Sequence, residues 1–435
     1  MSLGGRRSDA ILASLGAPVV ALSTTLRRHR PDYMIILYMG LLMLFGLIVI
    51  YAIGPQRANL LNNSSGTNYS DSYFFIKQAI SLALSLAAFA FMAVLPYTWI
   101  TKQGSKFLVF GLAACGLLAV AGWVGLSIAQ CSLGACRWFD LGPLGTLQPA
   151  EVLKFGILIF TAGFLGTKAV QGKINNVPET LIPLGVITAL SMLFIVIIQK
   201  DLGTGIALAS IIICMLVVGG MNRRIAVTIL SGALVVGIAF IFIAPHRIDR
   251  ITTFLQGDST ASTDQSGYQI ANAKIAIGTG GLFGVGIGNS VQATGYLPEA
   301  INDSVFAIMG ETFGFVGLIA ILALFVALLL RLLKVMDHLM DMRLKLVVAG
   351  VFGWLVAHVI LNVASMIGIF PLTGITLPLL SFGGTSMIFI AAALGLVFQL
   401  SRYTVHTSRL KEATDENSSS RRGIGRTRYA GRGSS

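Results

Sequence analysis

Ten mostly apolar runs, each close to the length of a bilayer crossing, divide this chain and leave no room between them for an ordinary soluble domain. A hydrocarbon core takes about 20 residues of α-helix, and inside it the backbone must satisfy its own hydrogen bonds. The runs fall at 34–54, 73–96, 107–127, 149–166, 180–198, 203–219, 225–244, 304–333, 344–366 and 381–401. The expected fold is an all-α integral membrane protein of about ten transmembrane helices. Only a few residues join spans five and six, so one of them could be re-entrant. Composition agrees: 55% of the 435 residues are hydrophobic and 11% charged, where a soluble domain carries about a quarter charged residues.

The net charge of +13 resembles a nucleic-acid binder until the cations are placed. With the N-terminus inside, roughly 23 of the 31 lysines and arginines fall in inner segments, which is the positive-inside pattern rather than a nucleic-acid surface. Both termini are therefore expected in the cytoplasm, with a large extracytoplasmic loop between spans seven and eight. Residues 1–33 read as a cytoplasmic segment, either amphipathic and lying on the inner membrane surface or simply a disordered leader. Residues 34–402 form the transmembrane body. Residues 403–435, rich in Ser, Gly and Arg, read as a disordered basic tail attracted to anionic membrane lipids.

Two outer loops are long, about 128–148 and about 245–303. Cys131 and Cys136 fall in the first. An oxidising exterior permits a disulfide there, and a close pair can equally stay reduced. The glycines from Gly278 to Gly288 lack dinucleotide-binding spacing and suggest a tight turn or backbone close to a ligand. The five histidines are scattered, with no metal-ligand spacing.

On this topology the polar residues near the spans gather at the outer face. Glu151 and Lys154 occupy the first turns of span four, and Asp201 lies at the junction of spans five and six. Glu299 and Asp303 precede span eight, with Glu311 about 12 Å deeper than Asp303 at 1.5 Å per residue. Residues 368–386, which include Ser381, form an irregular segment of Pro, Gly, Ser and Thr. Irregular backbone at membrane depth is tolerated where protein or a watery cavity surrounds it. A hydrated cavity open to the outside, lined by acids and one lysine, follows as an expectation. Each acid also has a plain structural role open to it: Glu151 neutralising Lys154, Asp201 capping span six, Glu299 capping span eight, Asp303 lying at a solvated helix end, Glu311 pairing with a buried donor.

Nucleotides are not available outside a bacterial membrane, so an enzyme with such a cavity needs a donor that arrives activated. A lipid-linked sugar diphosphate meets that need. Transfer would require a carboxylate to take a proton from the acceptor hydroxyl and cations to steady the departing pyrophosphate. Asp303, Lys154 and the loop residue Arg137 supply that set.

The stretches "GACRWFDLG", "LQPAEVLKF", "QKDLGTG", "YLPEAINDSVFAIMGETFGFVG" and "NVASMIGIFPLTGITLPLLSFGGTS" occur in this order. Together they resemble the shape, elongation, division and sporulation (SEDS) family, which includes FtsW and RodA. The resemblance implies ten transmembrane helices and polymerisation of lipid II into glycan strands beside a class B penicillin-binding transpeptidase. It implies catalytic roles for Asp303, as general base, and for Lys154. Substrate-binding roles are expected for Arg137, Trp138, Glu151, Asp201, Glu299, Glu311 and Ser381. The implied partners are lipid II, the polyprenyl-pyrophosphate-linked glycan, the transpeptidase, other division proteins and membrane lipids. The outer acids could hold a divalent cation, though nothing has the ligand count of a dedicated site.

Two positions depart from the family pattern. Thr146 stands near the place of an arginine common in division-type members, which would pass its cationic role to Arg137 or another residue. Lys200 replaces the usual proline before Asp201, which would loosen the junction of spans five and six. The tail and "GITLPLLSFGGTS" favour a division role at the septum over elongation. The rival activity is a flippase for the same lipid-linked precursor, which requires matching polar residues on the inner half.

Overall fold

The computed structural model describes residues 30–132, 135–142, 145–229, 231–232 and 265–404. Most of the expected seventh span, the N-terminal segment, the basic tail and the first part of the long loop lie outside the described residues. Among those described, eight helices are long and apolar enough to cross a membrane, and Leu202–Val218 is a shorter apolar helix.

The helices run α1 (Tyr33–Ser65), α2 (Tyr73–Val94), the short α3 (Tyr97–Lys102), α4 (Gly104–Val124) and α5 (Pro149–Val170). Next come α6 (Ile182–Met192), flanked by wide π turns at Val177–Leu181 and Leu193–Ile198, and α7 (Leu202–Val218). The last four are α8 (Gln265–Thr279), α9 (Val305–His338), α10 (Met342–Met366) and α11 (Gly384–Leu400). The chain is mostly helical, as expected of an all-α membrane protein, with one small sheet in a loop. The first outer loop folds into an antiparallel sheet of β1 (Ala129–Ser132), β2 (Ala135–Asp140) and β3 (Thr146–Leu147), in the order β1-β2-β3. Cys131 and Cys136 sit opposite each other in the β1–β2 ladder and are joined by a disulfide.

Apolar side chains gain nothing by leaving lipid for protein, so close packing rather than hydrophobic burial holds such helices together. At the α4–α5 contact a Cβ on Gly156 would lie 2.7 Å from the Phe107 carbonyl oxygen, so the two backbones touch. Burial sorts the helices into two layers. The N-terminal half of α5 and most of α10 are enclosed on all sides, whereas α2 and α4 turn Leu84, Phe91, Phe110 and Leu117 outward. The buried helices carry the polar residues described below.

Helix α9 is not continuous. Gly314 has φ 68 and ψ −169, which breaks the ladder one turn below Glu311. The glycine-rich segment fills the break: Val285 and Gly286 donate N–H bonds to the carbonyls of Glu311 and Thr312, at 2.9 and 3.1 Å, and Phe315 donates to Gly281, at 2.8 Å. A Cβ on Gly284 would stand 2.2 Å from the Thr312 oxygen. The glycines therefore serve backbone contact with α9, an unpaired helix break being costly at this depth.

Candidate active site

Proline at the first turn of α5 fixes where that helix starts, and Glu151 and Lys154, three residues apart, share one face. They are almost fully buried, at 2% and 0% exposure. Lys154 Nζ lies 2.8 Å from Glu151 Oε1, and Glu151 Oε2 is buried without a partner. An open, wet cavity had been expected around the lysine; instead it is enclosed. Its ammonium also lies 3.3 Å from His358 Nε2 and 4.8 Å from the centre of the Trp354 ring.

Trp354, His358 and Asn362 recur at four-residue intervals along α10 and form one buried polar stripe. Trp354 Nε1 donates to His358 Nε2 at 3.2 Å, and His358 Nδ1 lies 3.3 Å from the Thr376 carbonyl oxygen. One turn further, Asn362 Nδ2 donates to the carbonyls of Ile375 and Asp303, each at 2.7 Å. A chain of polar contacts thus runs from Glu151 and Lys154, through α10 and residues 375–376, to the backbone of Asp303.

Asp303 sits half-buried just ahead of α9. Its Oδ1 accepts from Gln269 Nε2 of α8 at 3.3 Å, and the same nitrogen donates to Ser304 Oγ at 2.8 Å. Glu299 is exposed, with φ 52, a left-handed conformation that a glutamate rarely takes. Its carboxylate accepts from Asn302 Nδ2, and its carbonyl accepts the N–H groups of Asn302 and Ser304, at 2.9 and 3.2 Å. That turn presents Asp303.

Several other expected site residues are held by their own chain. Asp201 caps α7, accepting from the Thr204 N–H at 2.9 Å and the Thr204 hydroxyl at 2.8 Å. Gln148, ahead of α5, donates to the same carboxylate at 3.3 Å. Arg137 donates to the carbonyls of Gln199, at 3.1 Å, and Lys200, at 2.9 Å. Lys200 has φ 53, a value the proline ring cannot reach. The junction expected to be loose is tied by these bonds and by the Asp201 N–H to the Ile195 carbonyl, at 3.0 Å. Glu311, 2% exposed, accepts from the Ser290 hydroxyl and from the N–H groups of Val291, at 3.0 Å, and Gln292. Ser381 Oγ accepts from the Leu377 N–H at 2.8 Å and closes the turn before α11. Trp138 is half-buried on β2, paired with Gln130. Among the described residues no three His, Cys, Asp or Glu side chains gather as a metal site.

The reading of single residues missed His358, Trp354, Asn362 and Gln269. The first three carried a signal, the four-residue spacing of polar groups in the apolar run of α10, which places them on one face; Gln269 lies on α8, outside that run.

Comparison with known proteins agrees with this architecture. The family model described as Cell cycle protein, covering FtsW, RodA and SpoVE, matches residues 32–406. Stage V sporulation protein E of Bacillus subtilis (strain 168) is 32% identical over 384 residues, covering 87% of this chain and 99% of that one. A protein of Taylorella equigenitalis named "Probable peptidoglycan glycosyltransferase FtsW" is 32% identical over 374 residues, covering 83% and 94%. The crystal structure of the rod shape determining protein RodA of Thermus thermophilus superposes with a TM-score of 0.61 at 23% identity, covering 86% of this chain and 98% of that one. A chain from a peptidoglycan synthase complex that coordinates polymerization and crosslinking gives a TM-score of 0.66 at 24% identity, covering 86% and 98%. Those two likenesses concern the fold, whereas the family match spans the α5 pair, the α10 stripe and the Asp303 turn together: this chain belongs to the FtsW/RodA/SpoVE family.

Proposed function

We propose that this protein is an inverting, processive peptidoglycan glycosyltransferase that polymerises lipid II on the outer face of the bacterial cytoplasmic membrane. The observation that carries the reading is the connected path from the buried Glu151–Lys154 pair to the backbone of Asp303, in a chain whose relatives include a named peptidoglycan glycosyltransferase. The acceptor is a lipid II whose sugar 4-hydroxyl attacks the anomeric carbon of the lipid-linked strand. Asp303 takes the hydroxyl proton as the new C–O bond forms. The bond from the anomeric carbon to the diphosphate oxygen breaks, and polyprenyl pyrophosphate leaves with that electron pair. Lys154 stabilises the charge developing on the diphosphate, in a low-dielectric setting where a fixed cation acts strongly.

Trp138 and the exposed Glu299 are assigned to substrate contact. Glu151 holds the lysine. Asp201, Arg137, Glu311 and Ser381 hold the frame of the site, since their polar atoms already bond to the chain itself. No step is routed through a divalent cation, because the described side chains do not assemble the ligands of a dedicated site.

The transmembrane body spans 34–402 with ten crossings and both termini inside, in keeping with the distribution of lysine and arginine. The disulfide of the β1–β2 hairpin supports an outward position for that sheet. A class B transpeptidase is the proposed partner and the division septum the proposed site of action.

The test is polymerisation of labelled lipid II by purified protein, with and without a cognate transpeptidase, comparing wild type with Asp303→Ala and Lys154→Ala. Glycan strands from wild type and none from a folded Asp303→Ala are expected. Normal polymerisation by Asp303→Ala would refute the mechanism. No strands from wild type even with the transpeptidase present would favour a flippase.

A further inference from the structure

The Lys154 ammonium has three N–H bonds, and the structure gives it three neighbours to receive them: Glu151 Oε1, His358 Nε2 and the face of Trp354. The residue is wholly enclosed. A diphosphate oxygen can therefore reach it only by displacing a neighbour. The ion pair with Glu151 is the strongest of the three and the contact with the indole face the least directional, so the Trp354 contact is the one a phosphate oxygen would replace.

The protonation of His358 follows from its partners. The Thr376 carbonyl can only accept, so Nδ1 carries the proton. Trp354 Nε1 can only donate, so Nε2 presents its lone pair. His358 is thus a neutral acceptor whose single Nε2 lone pair is shared by the Trp354 N–H and the Lys154 ammonium. Thr376 adjoins Ile375, whose carbonyl shares the Asn362 amide with Asp303.

We propose that His358 is the positioning residue of this site: it holds the Lys154 ammonium in register as the diphosphate departs and, with Asn362, fixes the lysine relative to Asp303 through the backbone of residues 375–376. The inference rests on the assignment of Lys154 to the diphosphate made above. A group that acts by placing a transition-state cation should lower kcat and spare KM.

The experiment is steady-state polymerisation of lipid II by the full-length protein with its transpeptidase. The variants are His358→Leu, His358→Gln, Asn362→Ala, the His358→Leu/Asn362→Ala double and Lys154→Ala. His358→Leu should lower kcat roughly 10- to 100-fold, the scale known for removing a partner that orients a metal ligand, with KM within about twofold of wild type. His358→Gln, which can still accept from Lys154, should recover most of that loss. The double should be little worse than the poorer single, because both residues act through one segment. If His358→Leu does not fold, His358→Asn, too short to reach the lysine, takes its place in the series. A His358→Leu enzyme with normal kcat, a change confined to KM, failure of the glutamine to rescue, or losses that multiply would each overturn the proposal. Lys154→Ala separates the two readings. If it is inactive while His358→Leu is normal, only the positioning role falls; if it polymerises normally, the lysine assignment falls as well.

Discussion

Replacing Lys154 by methionine removes the charge but keeps most of the side-chain volume, so it isolates the electrostatics of the buried pair. At the 2.8 Å separation of Nζ and Oε1, the Coulomb attraction is ~6 kcal/mol for an effective dielectric near 20. Desolvation offsets part of this, and breaking one side of a buried pair costs about 3–5 kcal/mol, mostly because the other charge is stranded. Glu151 would be that stranded charge, with its second oxygen already buried and unpaired. The single variant should therefore melt several degrees lower in detergent. The Lys154→Met/Glu151→Leu double removes the orphan as well and should regain most of the lost stability. Neither variant should polymerise lipid II, because the cation is absent from both. The assay pairs thermal unfolding followed by tryptophan fluorescence with glycan-strand formation from labelled lipid II. A single variant as stable as wild type would refute the electrostatic argument. A double variant that polymerises would refute the catalytic one.

Gly284→Ala puts a methyl 2.2 Å from the Thr312 oxygen at a backbone with φ 82, and should prevent folded protein from accumulating in the membrane, read by fluorescence-detected size exclusion. Glu311→Leu strands the Ser290 hydroxyl and the Val291 and Gln292 N–H groups; a loss of about 1–3 kcal/mol per unsatisfied buried group should appear as faster proteolysis within 280–294, and unchanged proteolysis would count against Glu311 holding that segment. Asp201→Ala removes the cap of α7 and should cost about 0.5–2 kcal/mol, while Asp201→Asn, which still accepts from Thr204, should recover most of it in the same melting assay.

Much of the fold was legible because a bilayer imposes one-dimensional rules. Length and hydropathy placed α2, α4, α5, α9, α10 and α11 close to where they lie, and the start of α1, which runs on to Ser65, since lipid-embedded backbone has few alternatives to helix. The β1–β2 hairpin was not legible. Its residues lie outside the membrane rule, and "CSLGACRWFD" alternates too weakly to distinguish strand from loop. The break at Gly314 was equally hidden, because a glycine in an apolar run reads as an ordinary helical residue until a loop from elsewhere takes over its hydrogen bonds.

By itself the sequence determined that this chain lives in a membrane, that its acids and one lysine cluster near helix ends, and that Glu151 and Lys154 share a face. Those properties depend on spacing along one helix or on the cost of exposing a charge to lipid. Only the tertiary structure decided that the lysine is enclosed, that His358 receives one of its protons, and that Asn362 ties that neighbourhood to Asp303. These contacts join residues more than fifty positions apart in sequence, and no local periodicity encodes such a distance. It is set by how α5, α9 and α10 pack.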